Sequence, residues 1–151
     1  KNGRTAVDNA SNEECVKVFI NLGNATLRGL LHAAARVGLA DDVAALIASN
    51  ADVNAKDWEQ MTPLLLAAAK RHITVLKVLI EAGADMTACD EHQRTALHWA
   101  ALQGLSDGVC ALGEAKADLE ARDSSGRTAL DYGNKQVTKM LRELGAKEEG
   151  E

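Results

Sequence analysis

Hydrophobic residues in this chain arrive in paired bursts at a fixed interval. Leu64 to Ala69 is an unbroken apolar run, and after Lys70, Arg71 and His72 a second set, Val75, Leu76, Val78, Leu79 and Ile80, falls at helical spacing. A polar stretch with turn chemistry then runs from Ala84 to Arg94 before the pattern restarts. Thr62-Pro63 reads as a helix start, with Thr a favoured cap and Pro tolerated at the first helical position. A second helix is expected to begin near Thr74, and Gly83 supplies the left-handed residue that ends it. Each unit is therefore predicted to be helix, turn, helix and a protruding loop or short hairpin, here called a finger.

The interval is 33 residues. Asp57 to Cys89 and Asp90 to Arg122 align without a gap and share 12 of 33 positions, among them Asp57/Asp90, Thr62/Thr95, Leu64/Leu97 and Leu79/Leu112. Most of these are residue types with a backbone or packing task, so the identity marks a structural unit. The frame extends upstream, where Leu30 to Gly38 aligns with Pro63 to Arg71, and downstream, where Gly126 to Asp131 opens another unit. A period of this length predicts an elongated stack of small units, each packing on its neighbours.

The segments T-P-L-L-L-A-A, T-A-L-H-W-A-A, E-A-G-A-D and N-A-D-V-N-A-K-D resemble the ankyrin repeat. The resemblance covers nearly the whole chain. It implies an all-α dominated solenoid of about five units, antiparallel helix pairs with β-hairpin fingers, whose role is to bind protein. Residues 1–24 form a shortened first repeat, 25–56 resemble an N-terminal cap, 57–89 and 90–122 are full repeats, 123–146 resemble a C-terminal cap, and 147–151 are expected to be a disordered acidic tail. Capping units fit the need of a terminal repeat to turn one face to water.

Two places depart from the pattern. Thr5 precedes Gly29 by 24 residues, too few for a full finger, so either the array tolerates a clipped repeat or one array ends near Gly23 and another begins. The clipped version predicts that Val18, Phe19 and Leu22 pack on Leu30, Leu31 and Ala34. In the fourth unit Gly108 and Gly113 occupy helical positions, and Lys116 stands where Gly83 stands one repeat earlier. Each interior Gly costs about 1 kcal/mol against Ala, so this helix is expected to be the softest of the stack.

Composition narrows the function classes. Net charge is −5 with both signs mixed along the chain, which lacks the basic stripe that nucleic-acid binding requires. The longest apolar run is too short to span a membrane, and no secretory leader is visible. Cys15, Cys89 and Cys110, odd in number and widely spaced, read as free thiols in a reducing compartment, so an intracellular setting, cytoplasm or nucleus, is expected. The chain is expected to be monomeric.

Candidate chemistry thins out on inspection. Cys89, His92, His98 and Cys110 could be mistaken for a zinc set, but the repeat frame puts them on a finger and two different helices, and zinc wants four converging ligands. His32 and His98 occupy the His position of the family's T-P-L-H motif, where the resemblance implies bonds to neighbouring backbone and Thr hydroxyls. No hydrolase, metalloprotease or phosphate-loop signature is present, and Asp41, Asp42, Asp85 and Asp118 read as helix-start and turn residues. The chain is therefore expected to be non-catalytic, with no cofactor and no metal.

Recognition remains. Free variation in the frame collects at the fingertips and on the exposed side of each first helix, the face the family uses for binding. The candidate partner-binding residues are Trp58, Glu59, Met61, Lys70, Glu91, His92, Arg94, Leu102, Gln103, Ser124 and Arg127. Trp58 leads, because Trp is enriched at interface hot spots and a fingertip has little core to bury it; the alternative is that it folds back onto Met61 or the next finger. Trp99 is expected in the core. Asn54 sits where the resemblance implies a site for intracellular asparagine hydroxylation, unless it only bonds across the finger base. The chain is thus expected to bind a protein partner; the alternative is a spacer or autoinhibitory segment of a larger enzyme or receptor.

Overall fold

The computed structural model describes residues 24–148. Eight helices form among them: α1 (Asn24–Val37), α2 (Ala40–Ala48), α3 (Pro63–Ala69), α4 (Ile73–Glu81), α5 (Ala96–Leu102), α6 (Ser106–Glu114), α7 (Ala129–Tyr132) and α8 (Lys135–Leu144). They make four antiparallel pairs, and the pairs stack into two layers. First helices pack in the order α1, α3, α5, α7, and second helices in the order α2, α4, α6, α8. The expected contacts of Val18, Phe19 and Leu22 lie outside the described residues.

Local chemistry sets the helix starts. Thr62 Oγ1 accepts the Leu65 N–H at 3.3 Å with Pro63 at the first helical position. At Thr95 the cap is shared with His98, whose Nδ1 accepts the Thr95 N–H at 3.1 Å while its Nε2 donates to Arg127 O at 3.0 Å in the next unit. The His98 ring thus caps its own helix and ties it to the following finger. Helix α1 differs because Gly29 stands at the Thr position: with no cap there, the helix begins at Asn24, between one and two turns earlier than the other first helices in the repeat frame. His32 Nδ1 then faces Arg28 O at 2.7 Å and its Nε2 faces Met61 O at 3.0 Å. A neutral imidazole can donate to only one of those carbonyls.

The core is a ladder at the repeat period. Leu31, Leu64 and Leu97 are buried, as are Ala34, Ala67 and Ala100 beside them, and Leu46, Leu79 and Leu112 in the second layer. Each buried Leu contributes roughly 2 kcal/mol, and the intervening Ala methyls let neighbouring helices approach closely. Gly108 and Gly113 have a packing reason that the sequence alone did not suggest. A Cβ at Gly108 would lie 2.7 Å from Leu105 Cδ2 and 3.1 Å from Leu76 Cδ2, and one at Gly113 would lie 2.5 Å from Leu144 Cδ1.

Turns repeat as faithfully as the core. Three left-handed positions recur per unit: Gly38, Arg71 and Gly104 between the helices; Asn50, Gly83 and Lys116 after the second helix; Gln60, Gln93 and Gly126 at the fingertips. Gly83 and Lys116 take the conformation expected of them, and the other two sets show that side chains are tolerated where the surrounding turn fixes the backbone. Of the two forms expected of the fingers, loop or short hairpin, the loop prevails: no strand forms among the described residues, and pairing is limited to a single bridge between Cys89 and Thr95. At the C-terminal end the expected acidic tail has its first two residues tied down: Lys147 N–H donates to Glu120 Oε1 at 2.8 Å, and Glu148 pairs with Arg142.

Candidate functional site

One aspartate closes each finger. Asp57 Oδ1 accepts the N–H groups of Glu59 and Met61, both at 2.9 Å. Asp90 Oδ1 does the same for His92 at 2.9 Å and Arg94 at 3.0 Å, and Asp123 Oδ1 for Ser125 at 2.8 Å and Arg127 at 2.9 Å. The Asp N–H donates to the carbonyl four residues on, at 3.0, 3.1 and 2.9 Å in the three fingers. This is an Asx-type turn, which explains why the fingers hold their shape without strand pairing.

The second carboxylate oxygen separates the three. Asp90 Oδ2 accepts Arg94 Nε at 3.0 Å and Trp99 Nε1 at 3.2 Å, and the Arg94 guanidinium lies 4.2 Å over the Trp99 ring. Asp123 Oδ2 accepts the Tyr132 hydroxyl and pairs with Arg127 Nε at 3.5 Å, with that guanidinium 4.6 Å over the Tyr132 ring. The Tyr132 bond, helped by the Arg127 and Ser125 amides and the Arg127 charge, outweighs burial and holds the Asp123 carboxyl down at about 2. Burial, then the bond and charge of Asp123, push the Tyr132 hydroxyl up. In the Asp57 finger the Arg and aromatic positions are filled by Met61 and Leu66. Neither can donate. Asp57 Oδ2 is buried and makes no hydrogen bond, and its ion-pair partner is Arg36 Nη2 at 3.7 Å, reaching in from the preceding unit.

Losing the Arg–aromatic stack leaves room. A cleft of about 560 Å³ opens between first helices and fingers, lined by Glu59, Met61 and Lys70 on one side and Glu91, Arg94 and Gln103 on the other, with Leu66, Ala69, Asp90 and Trp99 completing it. A second, of about 400 Å³, adjoins it through Arg36 and is lined by Arg28, Gly29, His32, Ala33, Lys56, Asp57 and Trp58. Small residues, Ala33 and Ala69, sit on the first helices at these clefts, and the Arg94–Trp99 stack walls off the far end.

The predicted residues divide accordingly. Trp58 stands 83% exposed at the rim, so it does not fold back. Glu59, Lys70, Glu91, Arg94 and Gln103 come together at the larger cleft. Met61 does not belong with the exposed candidates: it is 8% exposed, packed in the core, and offers the groove only a sliver of floor. Its place in the finger corresponds to that of Arg94, but a thioether with no charge to solvate turns inward. His92, Leu102, Ser124 and Arg127 are exposed but line neither cleft, and the Arg127 side chain is occupied by Asp123 and Tyr132. Trp99 is half-buried; it packs on the core and also forms the cleft wall.

Arg36 and Trp99 carry more of the groove than the sequence suggested. The signal was present: Arg94 and Trp99 stand five apart, as Arg127 and Tyr132 do one repeat later. Asn54 Oδ1 accepts the Asp85 N–H at 2.8 Å, bonding across the bases of adjoining fingers. Cys89 Sγ donates to Gln93 Oε1 at 3.5 Å within its finger, His98 is held in its cap, and Cys110 is half-buried in α6, its thiol pushed up by burial and then by Glu114, Asp107 and Glu143. Asp85 and Asp118 serve turns, accepting from Thr87 N–H at 2.8 Å and Glu120 N–H at 2.9 Å. Asp42, in the first turn of α2, is buried with Oδ1 unbonded, and burial followed by the Asp41 charge raises its pKa.

Two helical layers, left-handed turns at a constant period and Asp-closed fingers define a stacked helix-pair repeat array. The family profile described as ankyrin repeats (3 copies) matches residues 30–123, more than half of the chain, and the chain belongs to the ankyrin-repeat family. No curated protein matches it significantly. Ankyrin arrays are in general protein-interaction modules. None of the described helices is long and apolar enough to cross a membrane.

Proposed function

We propose that this chain is a non-catalytic protein-interaction module that holds its partner on the face shared by fingers and first helices, centred on the two adjoining clefts. The observation that carries this is Trp58, 83% exposed at the rim of a groove built by side chains from three successive units. A large amphipathic ring held by a rigid turn adds contact area at little ordering cost, which is the economy that interface anchors exploit. Trp58, Glu59, Lys70, Glu91 and Gln103 form the contact set, Arg94 and Trp99 its fixed wall, and His92, Leu102, Ser124 and Arg127 an outer margin. The buried Met61 contributes through shape.

The experiment is affinity capture from cell extract with the wild-type chain beside a Trp58→Ala, Lys70→Glu variant, both exposed positions, followed by reconstitution with purified partner. Expected is a saturable complex that the variant weakens by tenfold or more while its thermal unfolding is unchanged. A complex that the variant leaves intact overturns the assignment of this face, and failure to reconstitute any complex overturns the binding role.

A further inference from the structure

We propose that the groove takes an acidic, extended peptide segment of the partner, its carboxylates beside Arg28 and Lys56 and a bulky apolar side chain further along, against Trp99. This rests on the protein-binding role above and adds the chemistry of the occupant. The chain as a whole is acidic, at −5, yet the cleft beside Trp58 gathers Arg28, Arg36 and Lys56 against a single carboxylate, Asp57. That carboxylate is already committed: one oxygen closes the finger turn and the other is buried, paired with Arg36 at 3.7 Å. Lys56 Nζ donates to Cys89 O at 3.3 Å and its charge adds to the Thr87 bonds that hold the Asp85 carboxyl down, while the Lys56 and Arg28 side chains both remain exposed. Two cations therefore face solvent beside an exposed Trp ring, inside an otherwise acidic molecule. Such a local field attracts an anionic segment and disfavours a basic one.

The adjoining cleft asks for something different. Glu59 and Glu91 outnumber Lys70 there, Arg94 is neutralised by Asp90 at 3.0 Å, and the floor is Met61, Leu66 and Ala69 under the Trp99 wall. An apolar floor with no surplus of positive charge suits an uncharged hydrophobic side chain. From α1 past α3 to α5 is two helix spacings of about 10 Å, and an extended chain covers roughly 3.3 Å per residue, so the apolar residue should stand about six residues from the acidic ones. The groove thus has a polarity, charged towards α1 and apolar towards α5.

The test uses random linear peptides displayed on phage and selected on the intact chain, with the enriched sequences then synthesised and titrated by fluorescence anisotropy. Expected are peptides with clustered Asp or Glu about six residues from a bulky apolar residue, bound about tenfold more weakly by an Arg28→Glu, Lys56→Glu variant. A Lys77→Glu, Lys135→Glu variant makes the same change in net charge on the second helices and should bind as wild type does. Enrichment of neutral or basic peptides, no enrichment at all, or equal losses in both variants overturns the proposal. The capture experiment separates the two failures: a complex weakened by the Trp58 variant with no acidic peptide selected leaves the binding role standing and removes only the acidic occupant.

Discussion

The Asp57 and Asp90 fingers have the same backbone and opposite interiors. Both use Oδ1 to gather two amides, both put Gln at the left-handed tip with φ near 60°, and both bond the Asp N–H to the carbonyl four residues on. In one, the remaining oxygen is held by Arg94 and Trp99 of its own unit; in the other it makes no hydrogen bond and faces a borrowed Arg36. The comparison separates what the repeat needs from what it is free to vary. Closing the finger takes one oxygen; the other is available either to stiffen the inner face or to leave a groove in it.

The largest expected effect is on stability. Asp90→Ala should cost about 4 kcal/mol and Asp57→Ala about 2, since both lose the two turn bonds but only the first also strips a hydrogen-bonded guanidinium and an indole N–H of their acceptor, whereas Arg36 without Asp57 is still solvated. Urea denaturation of the two variants checks this, and equal losses would break the contrast. Next is the pH response of the third finger. Asp123 is depressed to about 2, so the stability it contributes is fully present above the ordinary carboxylate pKa of about 4 and is lost as pH falls from there towards 2. Carbon-detected NMR titration should find that value and show it rising in Tyr132→Phe. A smaller stability effect, with a large one on binding, is expected of a Met61→Arg, Leu66→Trp graft. Supplying Asp57 Oδ2 with the donors its counterpart has should raise stability by about 1 kcal/mol while filling the groove and abolishing partner binding. Smallest of all, Gln60→Gly and Gln93→Gly should each stabilise by under about 1 kcal/mol, Gln93→Gly by slightly less because it also loses the weak bond from Cys89 Sγ.

The architecture was legible because its determinants are local and periodic. Thr62-Pro63, Gly83 and the Leu64/Leu97 ladder each announce a cap, a stop or a core position within a few residues. Loop and hairpin could not be told apart: the aspartate that closes each finger was visible at 57, 90 and 123, but only the structure shows its side chain satisfying the amides that a strand partner otherwise would. The groove was only half legible. Trp58 stood out as a large ring in a turn, whereas Met61 could be placed only by knowing that an uncharged side chain at that position folds inward. Trp99 was masked by the apolar pattern of its helix, and only its five-residue spacing from Arg94, repeated by Arg127 and Tyr132, pointed to a ring that meets Asp90 and walls a cleft. Gly108 and Gly113 read only as softening their helix because two of the leucines that crowd them, Leu76 and Leu144, lie on neighbouring helices.

The most direct test of the central claim, that the unstacked Asp57 finger is the working site, is hydrogen–deuterium exchange of the chain with and without its reconstituted partner. Expected is new protection at residues 56–61 and along the ends of α1 and α3 nearest the groove, with residues 123–132 unchanged. Protection centred on 123–132, or on the second helices α2, α4 and α6, would contradict it.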